Sequence, residues 1–272
     1  MHELLNHPAV QGGVAPFIVG LAVALIGFRL RLAGLAAVAG LLTAVFLIGN
    51  FSLDSLTTMR KVVVLAVLAS FTGLMGDFAF KPRRGAEYVL GAIFGLASLW
   101  VFWGPLAQKP LLAALLAGVA VFALVFAQVA FTVAHQSDAI RTGVSGLGLG
   151  LGVGVAAVLG ASGLIGQYGM SIGAASGGFL LTAVIFGRGV GAGATLALGV
   201  SVVTALLGAA AVLLANLPWY SAALLALVPL AVRLPIAGRS HPALQAVLAS
   251  IYALTIAGVS CGLAWTASRA AG

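Results

Sequence analysis

An apolar, glycine-rich stretch between Gly143 and Gly178 constrains the fold of this chain more than any other segment. Glycines recur there mostly at every second to fourth residue. In a water-soluble helix each glycine costs about 1 kcal/mol relative to alanine. In a bilayer the backbone must satisfy its own hydrogen bonds, so the segment stays helical, and the missing side chains let neighbouring helices approach closely. The stretch therefore predicts membrane helices in tight contact.

Helical spacing predicts where those neighbouring helices lie. Gly146, Gly150 and Gly154 fall on one face, whereas Gly148 and Gly152 lie roughly 200° around the axis from them. We therefore expect a helix to pack on each side of this segment. The glycines that we expect to pack against other helices are Gly146, Gly150, Gly154, Gly169, Gly173 and Gly177.

Composition confirms that the chain belongs in a membrane. Of its 272 residues, 62% are hydrophobic and 7% are charged, and the mean hydropathy is +1.20. A single water-soluble core has no room for that much apolar surface. The apolar runs are long and continuous, which excludes the alternating strands of an outer-membrane barrel. Basic residues are scattered between these runs without forming a basic face, so the net charge of +8 does not indicate nucleic-acid binding.

The sequence therefore predicts an all-α, polytopic integral membrane bundle of about ten transmembrane helices, forming one domain over residues 1–272. Each apolar run is bounded by charged, polar or proline-containing turns. The expected helices cover Val14–Phe28, Leu32–Gly49, Val62–Phe80, Glu87–Trp103, Leu111–Val133, Val144–Ile165, Met170–Phe186, Ala194–Ala215, Ser221–Val232 and Ala243–Thr266.

Positive charge predicts an orientation. With the N-terminus outside, nine of the 13 Lys and Arg residues fall in inner loops. The four on the outer side are Arg60, Lys61, Lys109 and Arg269. The short arginine-bearing loops favour a bacterial inner membrane, with both termini on the non-cytoplasmic side.

Three short matches within the chain suggest a duplication. Ala36–Val45 resembles Ala174–Val184, PLAQKP at Pro105 resembles PLAVRLP at Pro229, and PLLAALLAG at Pro110 resembles PALQAVLAS in the same order. If they reflect ancestry, residues 12–133 and 143–267 are two five-helix repeats of opposite orientation, a layout used by transporters. The alternative is chance similarity in a chain dominated by alanine, leucine and glycine.

Few polar side chains lie within the predicted spans. Asp77 either binds a proton or a cation, or pairs with Lys81 one helical turn later. The amides and hydroxyls either join helices by hydrogen bonds or line a cavity at an interrupted helix pair, with the break at Gly166–Gly169. The candidate cavity or coupling residues are Asp77, Gln128, Ser162, Gln167, Tyr168 and Ser171.

No enzyme chemistry is predicted. Ser162, Ser171 and Ser176 have no activating base near them in the sequence, and the glycine run lacks the ending of a phosphate-binding loop. His135 and Asp138 supply too few ligands for zinc, so we interpret them as part of a solvated loop and expect no metal or cofactor.

Two functions remain open. One is a transporter or flippase for a small neutral or lipidic substrate, which the suggested repeat and the uncharged spans favour. The other is a noncatalytic subunit whose small-residue faces pack against partner membrane proteins or another copy of the chain. The lipid bilayer is the partner that both functions share.

Overall fold

A computed structural model describes residues 7–49, 56–79, 85–160, 162–187, 191–235 and 241–270, and these ranges are helical with no strand. We number the longer helical segments in chain order. They are α1 (Val10–Leu30), α2 (Ala33–Ile48), α3 (Thr58–Ala79), α4 (Ala86–Val101), α5 (Leu111–Val133), α6 (Ala139–Leu159), α7 (Gly163–Phe186), α8 (Gly193–Leu214), α9 (Trp219–Ala231) and α10 (Pro242–Ala270).

Seven of these segments in the described ranges are long and apolar enough to cross a membrane. The other three, α2, α4 and α9, are shorter apolar helices. These helices confirm the fold class expected from the sequence, an all-α membrane bundle. Large apolar side chains such as Phe46, Ile26 and Leu111, which are 85%, 75% and 77% exposed, point outward as lipid-facing residues do.

The turn between α6 and α7 lies earlier than the sequence suggested. Helix α6 ends at Leu159 and α7 begins at Gly163, where the Ser162 hydroxyl accepts a hydrogen bond from the Ile165 N–H at 3.4 Å. The predicted break at Gly166–Gly169 is therefore wrong, because α7 continues through these residues. Ser162 acts as the N-terminal cap, while Gly166 and Gly169 allow α7 to lie against the backbone of α6.

Two different helices cover the two glycine faces of α6. A Cβ added at Gly150 would overlap the backbone of Gly173 in α7, and one at Gly154 would lie 2.7 Å from the Met170 nitrogen. On the opposite face, a Cβ at Gly148 would come within 2.8 Å of the Ala253 Cβ in α10. Gly177 makes ordinary contacts instead, with its nearest neighbour at 3.6 Å. Helix α6 thus lies between α7 and α10.

Helix α8 is the centre of the bundle. In its most apolar stretch 89% of residues are buried, compared with 72% for α6. It packs against α3, α5 and α6 and also contacts α2 and α7. Its residues are small or apolar on every side, which is typical of a helix surrounded by other helices.

Helix α9 is interrupted, although the sequence suggested one continuous helix. It consists of Trp219–Leu225 and Val228–Ala231, joined by a turn at Ala226 and Leu227. Pro229 has no N–H to bond with the Leu225 carbonyl, so the α-helical pattern cannot continue there. Leu225 and Val228 pack against Gly152 and Gly148, which brings this interruption beside α6.

Candidate functional site

A group of polar side chains lies where α5 ends and α6 begins. Thr132 Oγ1, His135 Nδ1 and Gln136 Oε1 are buried atoms that have no hydrogen-bond partner. Buried polar atoms are nearly always partnered in proteins, so three exceptions within five residues mark this turn as unusual. We call the group the α5–α6 polar cluster; it consists of Thr132, His135, Gln136, Arg141, Thr142, Ser145 and Arg233.

His135 is the central member of this cluster. Its Nε2 lies 3.0 Å from Ser145 Oγ, and its carbonyl accepts a hydrogen bond from the Thr142 hydroxyl at 3.0 Å. The residue is only 7% exposed and Ser145 is fully buried. The interpretation of His135 as a solvated loop residue is therefore wrong. The chain folds back through a short turn after α5, so the first two turns of α6 cover the imidazole.

Two arginines border the imidazole. Arg233 Nη2 donates to the Phe131 carbonyl at 2.8 Å, and Arg141 Nη1 donates to the Arg233 carbonyl at 3.3 Å. Arg141 Nε also lies 3.2 Å from Asp138 Oδ2, while the other carboxylate oxygen of Asp138 accepts from the Arg141 N–H and caps α6. These contacts hold both guanidinium groups at this end of the bundle.

Burial and the two arginines lower the pKa of His135 from 6.5 to about 4. Burial is the largest cause, because it disfavours the charged imidazolium, and the positive charges of Arg233 and Arg141 act in the same direction. The nearby Phe131 carbonyl opposes the shift, although its geometry falls short of a hydrogen bond to His135 Nδ1. His135 is consequently neutral at pH 7, with one ring nitrogen available as a donor and the other as an acceptor.

Asp77 lies at the start of the central helix. Its carboxylate accepts hydrogen bonds from the N–H groups of Ala194 and Thr195, at 2.7 and 2.9 Å, and from the Thr195 hydroxyl at 2.6 Å. An acid from α3 therefore caps the N-terminus of α8, where the helix dipole also favours negative charge. The predicted partner Lys81 lies outside the described residues.

The carboxylate of Asp77 and the polar cluster meet at Gly193. The Gly193 N–H donates to the Gln136 carbonyl at 3.1 Å, and a Cβ at Gly193 would overlap the Asp77 carboxylate. The φ angle of Gly193 is +64°, a conformation that glycine adopts without strain. The first turn of α8 thus connects α3 with the turn between α5 and α6.

Gln128 lies deeper in the bundle. The Thr204 hydroxyl of α8 donates to Gln128 Oε1 at 3.0 Å and also contacts the Val200 carbonyl at 2.8 Å. Both side chains are almost completely buried. This contact joins α5 to α8 in the way that amides and hydroxyls hold membrane helices together.

The remaining candidates lie in the first half of α7. Gln167 is half-buried against Gly12 of α1, Tyr168 is 8% exposed, and the Ser171 hydroxyl donates to the Tyr168 carbonyl of its own helix at 2.8 Å. Among the described residues, no hydrogen bond connects this group with Asp77 or Gln128. The structure therefore distributes the six candidate residues over three regions.

Sequence reasoning missed Thr132, Ser145 and the burial of His135. Ser145 is ten residues from His135 and lies on the next helix, so their contact depends on how the chain turns. A weak signal exists, since Thr142 and Ser145 are one turn apart near the start of α6 and face the same side.

The described residues contain no group of three or more His, Cys, Asp or Glu side chains arranged to hold a metal ion. Comparison of the chain with protein-family models, curated proteins and solved structures finds no match.

Proposed function

We propose that this chain is a membrane transporter or flippase for a small neutral or lipidic substrate. The observation that carries the proposal is the set of three unpartnered polar atoms in the α5–α6 polar cluster. Leaving a buried polar group unpartnered costs about 1–3 kcal/mol. A polar substrate or an ordered water bound at this turn would supply the missing partners.

The charge distribution supports a neutral or lipidic substrate. The charged side chains of the described spans lie near helix ends, as Arg29, Asp77, Glu87 and Arg141 illustrate. The Asp77 carboxylate is already surrounded by three hydrogen-bond donors of α8. The spans thus offer polar but uncharged groups along most of their length.

The interruption of α9 also supports transport. Irregular backbone within a membrane is tolerated where it is buried in protein or lines a water-filled cavity, and broken helices commonly form the binding sites of transporters. The turn at Ala226 and Leu227 lies next to the glycine face of α6, where little side-chain volume separates the helices.

We further propose that all ten segments cross the bilayer, α2, α4 and α9 included. For α9, the contacts at its two ends involve different parts of the bundle. Ser221 near its start contacts Ser260 of α10, and Arg233, just after its end, donates to the Phe131 carbonyl at the end of α5. The suggested inverted repeat stays a prediction: its equivalent helices α3 and α8 pack together, as do α2 and α7, but the packing of α1 on α7 has no comparable counterpart between α6 and α2 in the described ranges. The packing of α6 on α10 has no comparable counterpart between α1 and α5 in the described ranges.

Reconstitution into liposomes tests the proposal. We expect the protein to accelerate either the osmotic entry of neutral solutes, measured by stopped-flow light scattering, or the exchange of fluorescent phospholipids between leaflets, measured by dithionite quenching. Thr132→Val should reduce this activity severalfold while leaving thermal stability equal or higher, because the change replaces an unpartnered buried hydroxyl with a methyl group of the same shape.

Ser70→Ala is the matched control. Ser70 Oγ is also buried without a partner, but it faces Gly199 in the seam between α3 and α8. We expect this variant to retain activity. Absence of both activities from the wild-type protein, or equal effects of the two substitutions, would favour the noncatalytic subunit instead.

A further inference from the structure

A second polar site lies at the opposite end of α8. A groove of about 570 Å³ is formed by the start of α3, the turn between α4 and α5, and the end of α8. Its volume is within the range of small-ligand sites. Its lining includes Thr57, Lys61, Gln108, Lys109, Leu213 and Leu214.

The groove carries positive charge. Lys61 and Lys109 both line it, and the described residues that line it include no carboxylate. Lys61 is half-buried and held in place, since its Nζ lies 5.1 Å from the centre of the Trp100 ring and donates to the Trp100 carbonyl at 3.5 Å. Thr57 and Gln108 add neutral hydrogen-bonding groups. This combination matches an anion with several acceptor oxygens, such as a phosphate.

The surroundings of the groove fit the surface of a membrane. Trp100 and Trp103 are 46% and 70% exposed, and tryptophans collect at the level of lipid headgroups. Leu213 and Leu214 line the same groove, and Leu111 of α5 is exposed directly after the turn. A ligand here would contact ammonium groups and apolar side chains at the same time.

We propose that this groove binds the phosphate group of an anionic phospholipid. Lys61 and Lys109 neutralise the headgroup charge, Thr57 and Gln108 bond to its oxygens, and Leu213 and Leu214 contact the first part of an acyl chain. The assignment rests on the groove alone and holds whether or not the chain transports a substrate. A phospholipid is favoured over a free anion because the site combines charge with apolar surface at the membrane interface.

Native mass spectrometry of the full chain tests the assignment. The protein is released from nanodiscs that contain equal amounts of phosphatidylglycerol and phosphatidylcholine. We expect phosphatidylglycerol to be retained preferentially. Lys61→Gln and Lys109→Gln should each lower the ratio of bound phosphatidylglycerol to phosphatidylcholine about fivefold, the factor that corresponds to about 1 kcal/mol per basic residue near an anionic surface.

Arg269→Gln is the matched control, because it also removes one positive charge from a residue stacked on a tryptophan. Arg269 Cζ lies 4.3 Å from the Trp265 ring centre, and Arg269 does not line the groove. This variant should keep the wild-type ratio. Monodisperse elution in size-exclusion chromatography verifies folding. If Lys61→Gln fails to fold, the result for Lys109→Gln decides the test, because that substitution changes an exposed side chain in a turn.

Two results would overturn the assignment. One is an equal ratio in the wild type, both lysine variants and the control, which would leave the groove without a role in lipid selection. The other is displacement of phosphatidylglycerol by added inorganic phosphate, which would identify a site for a free anion.

Discussion

At the scale of single residues, Asp77 has a structural role that its own helix does not reveal. Its three hydrogen bonds all go to Ala194 and Thr195, so an acid of α3 occupies the position that a capping residue would take in α8. The N–H groups of that first helical turn have no partner within α8 itself. The carboxylate therefore stabilises the central helix and its packing on α3 together.

We predict that Asp77→Ala lowers the free energy of unfolding by about 2 kcal/mol, the upper range for loss of an N-terminal cap. The measurement is the thermal unfolding midpoint of the purified protein in detergent. Glu87→Gln is the control, since Glu87 lies in the first turn of α4 and contributes through the helix dipole, which is worth about 0.3–1 kcal/mol. Equal shifts for the two variants would contradict the capping role.

His135 makes stability depend on pH. Its pKa is about 4 in the folded protein and 6.5 in an exposed chain, so the unfolded state binds a proton first as the pH falls. Stability is therefore unaffected above pH 6.5 and declines as the pH falls from 6.5 towards 4. Between pH 8 and pH 5 this decline amounts to about 2 kcal/mol.

We predict that His135→Gln removes most of this decline. The unfolding midpoint, followed in steps between pH 8 and pH 5, should fall for the wild type and stay nearly level for the variant. His241→Gln is the control because His241 is exposed and lies at the start of α10. A wild-type midpoint that does not change down to pH 5 would show that His135 is accessible to solvent.

The importance of Asp77 could be predicted from the sequence, but its partners could not. An acid inside an apolar run is conspicuous because burial of its charge is costly. Thr195 lies 118 residues away and joins Asp77 only after α3 and α8 have packed together. His135 was misinterpreted for the same reason: its turn is polar and short in the sequence, and its burial depends on α6 folding over it.

At the scale of helices, the seam between α6 and α7 depends on the absence of side chains. Gly150 and Gly154 face Gly173, Met170 and the backbone around them at distances that leave no room for a Cβ. Close approach of this kind stabilises membrane helix pairs through dispersion contacts. Replacing a glycine of this seam, even with alanine, should therefore destabilise the helix pair.

We predict that Gly150→Ala destabilises the protein by about 1–3 kcal/mol, the usual cost of overpacking. Gly177→Ala should be neutral or slightly stabilising, because a Cβ there meets only ordinary contacts at 3.6 Å or more and alanine is the better helix former. Both variants are compared by thermal unfolding and by size-exclusion profile. Tolerance of alanine at Gly150 would mean that the two helices lie farther apart.

Helix periodicity predicted this seam, whereas it could not identify α8 as the central helix. Glycines spaced four residues apart indicate a contact face directly, as Gly146, Gly150 and Gly154 show. Helix α8 is apolar on all sides, and in a membrane protein lipid and protein neighbours both favour such a surface. The prediction of one continuous helix over Ser221–Val232 overlooked Pro229, and proline alone does not distinguish a kink from the observed turn.

At the scale of the whole molecule, α8 connects two polar regions. Its first turn contacts Asp77 and the Gln136 carbonyl, and its last turn contributes Leu213 and Leu214 to the lysine-lined groove. The two ends also differ chemically: one has a neutral histidine between arginines, and the other has lysines beside exposed tryptophans. The two ends of the bundle therefore present different chemical groups to their surroundings.

The distribution of basic residues predicts how the whole molecule is oriented in the membrane. If the ten segments cross the bilayer in alternating directions, nine of the 13 basic residues lie on the same side as the α5–α6 turn. The side with the excess of Lys and Arg is normally cytoplasmic. The groove with Lys61 and Lys109 and both ends of the chain then face away from the cytoplasm. Single-cysteine labelling tests this arrangement after Cys261→Ala removes the natural thiol.

We expect Gly104→Cys, in the turn between α4 and α5, to react with a membrane-impermeant maleimide in intact cells. Ser137→Cys, in the exposed part of the turn after α5, should react only after the membrane is permeabilised. Both positions are exposed, so a difference in labelling reports their side of the membrane. Reporter fusions at the two ends should both be active outside the cytoplasm. Reversed labelling would contradict the orientation, and fusions active on opposite sides would contradict an even number of crossings.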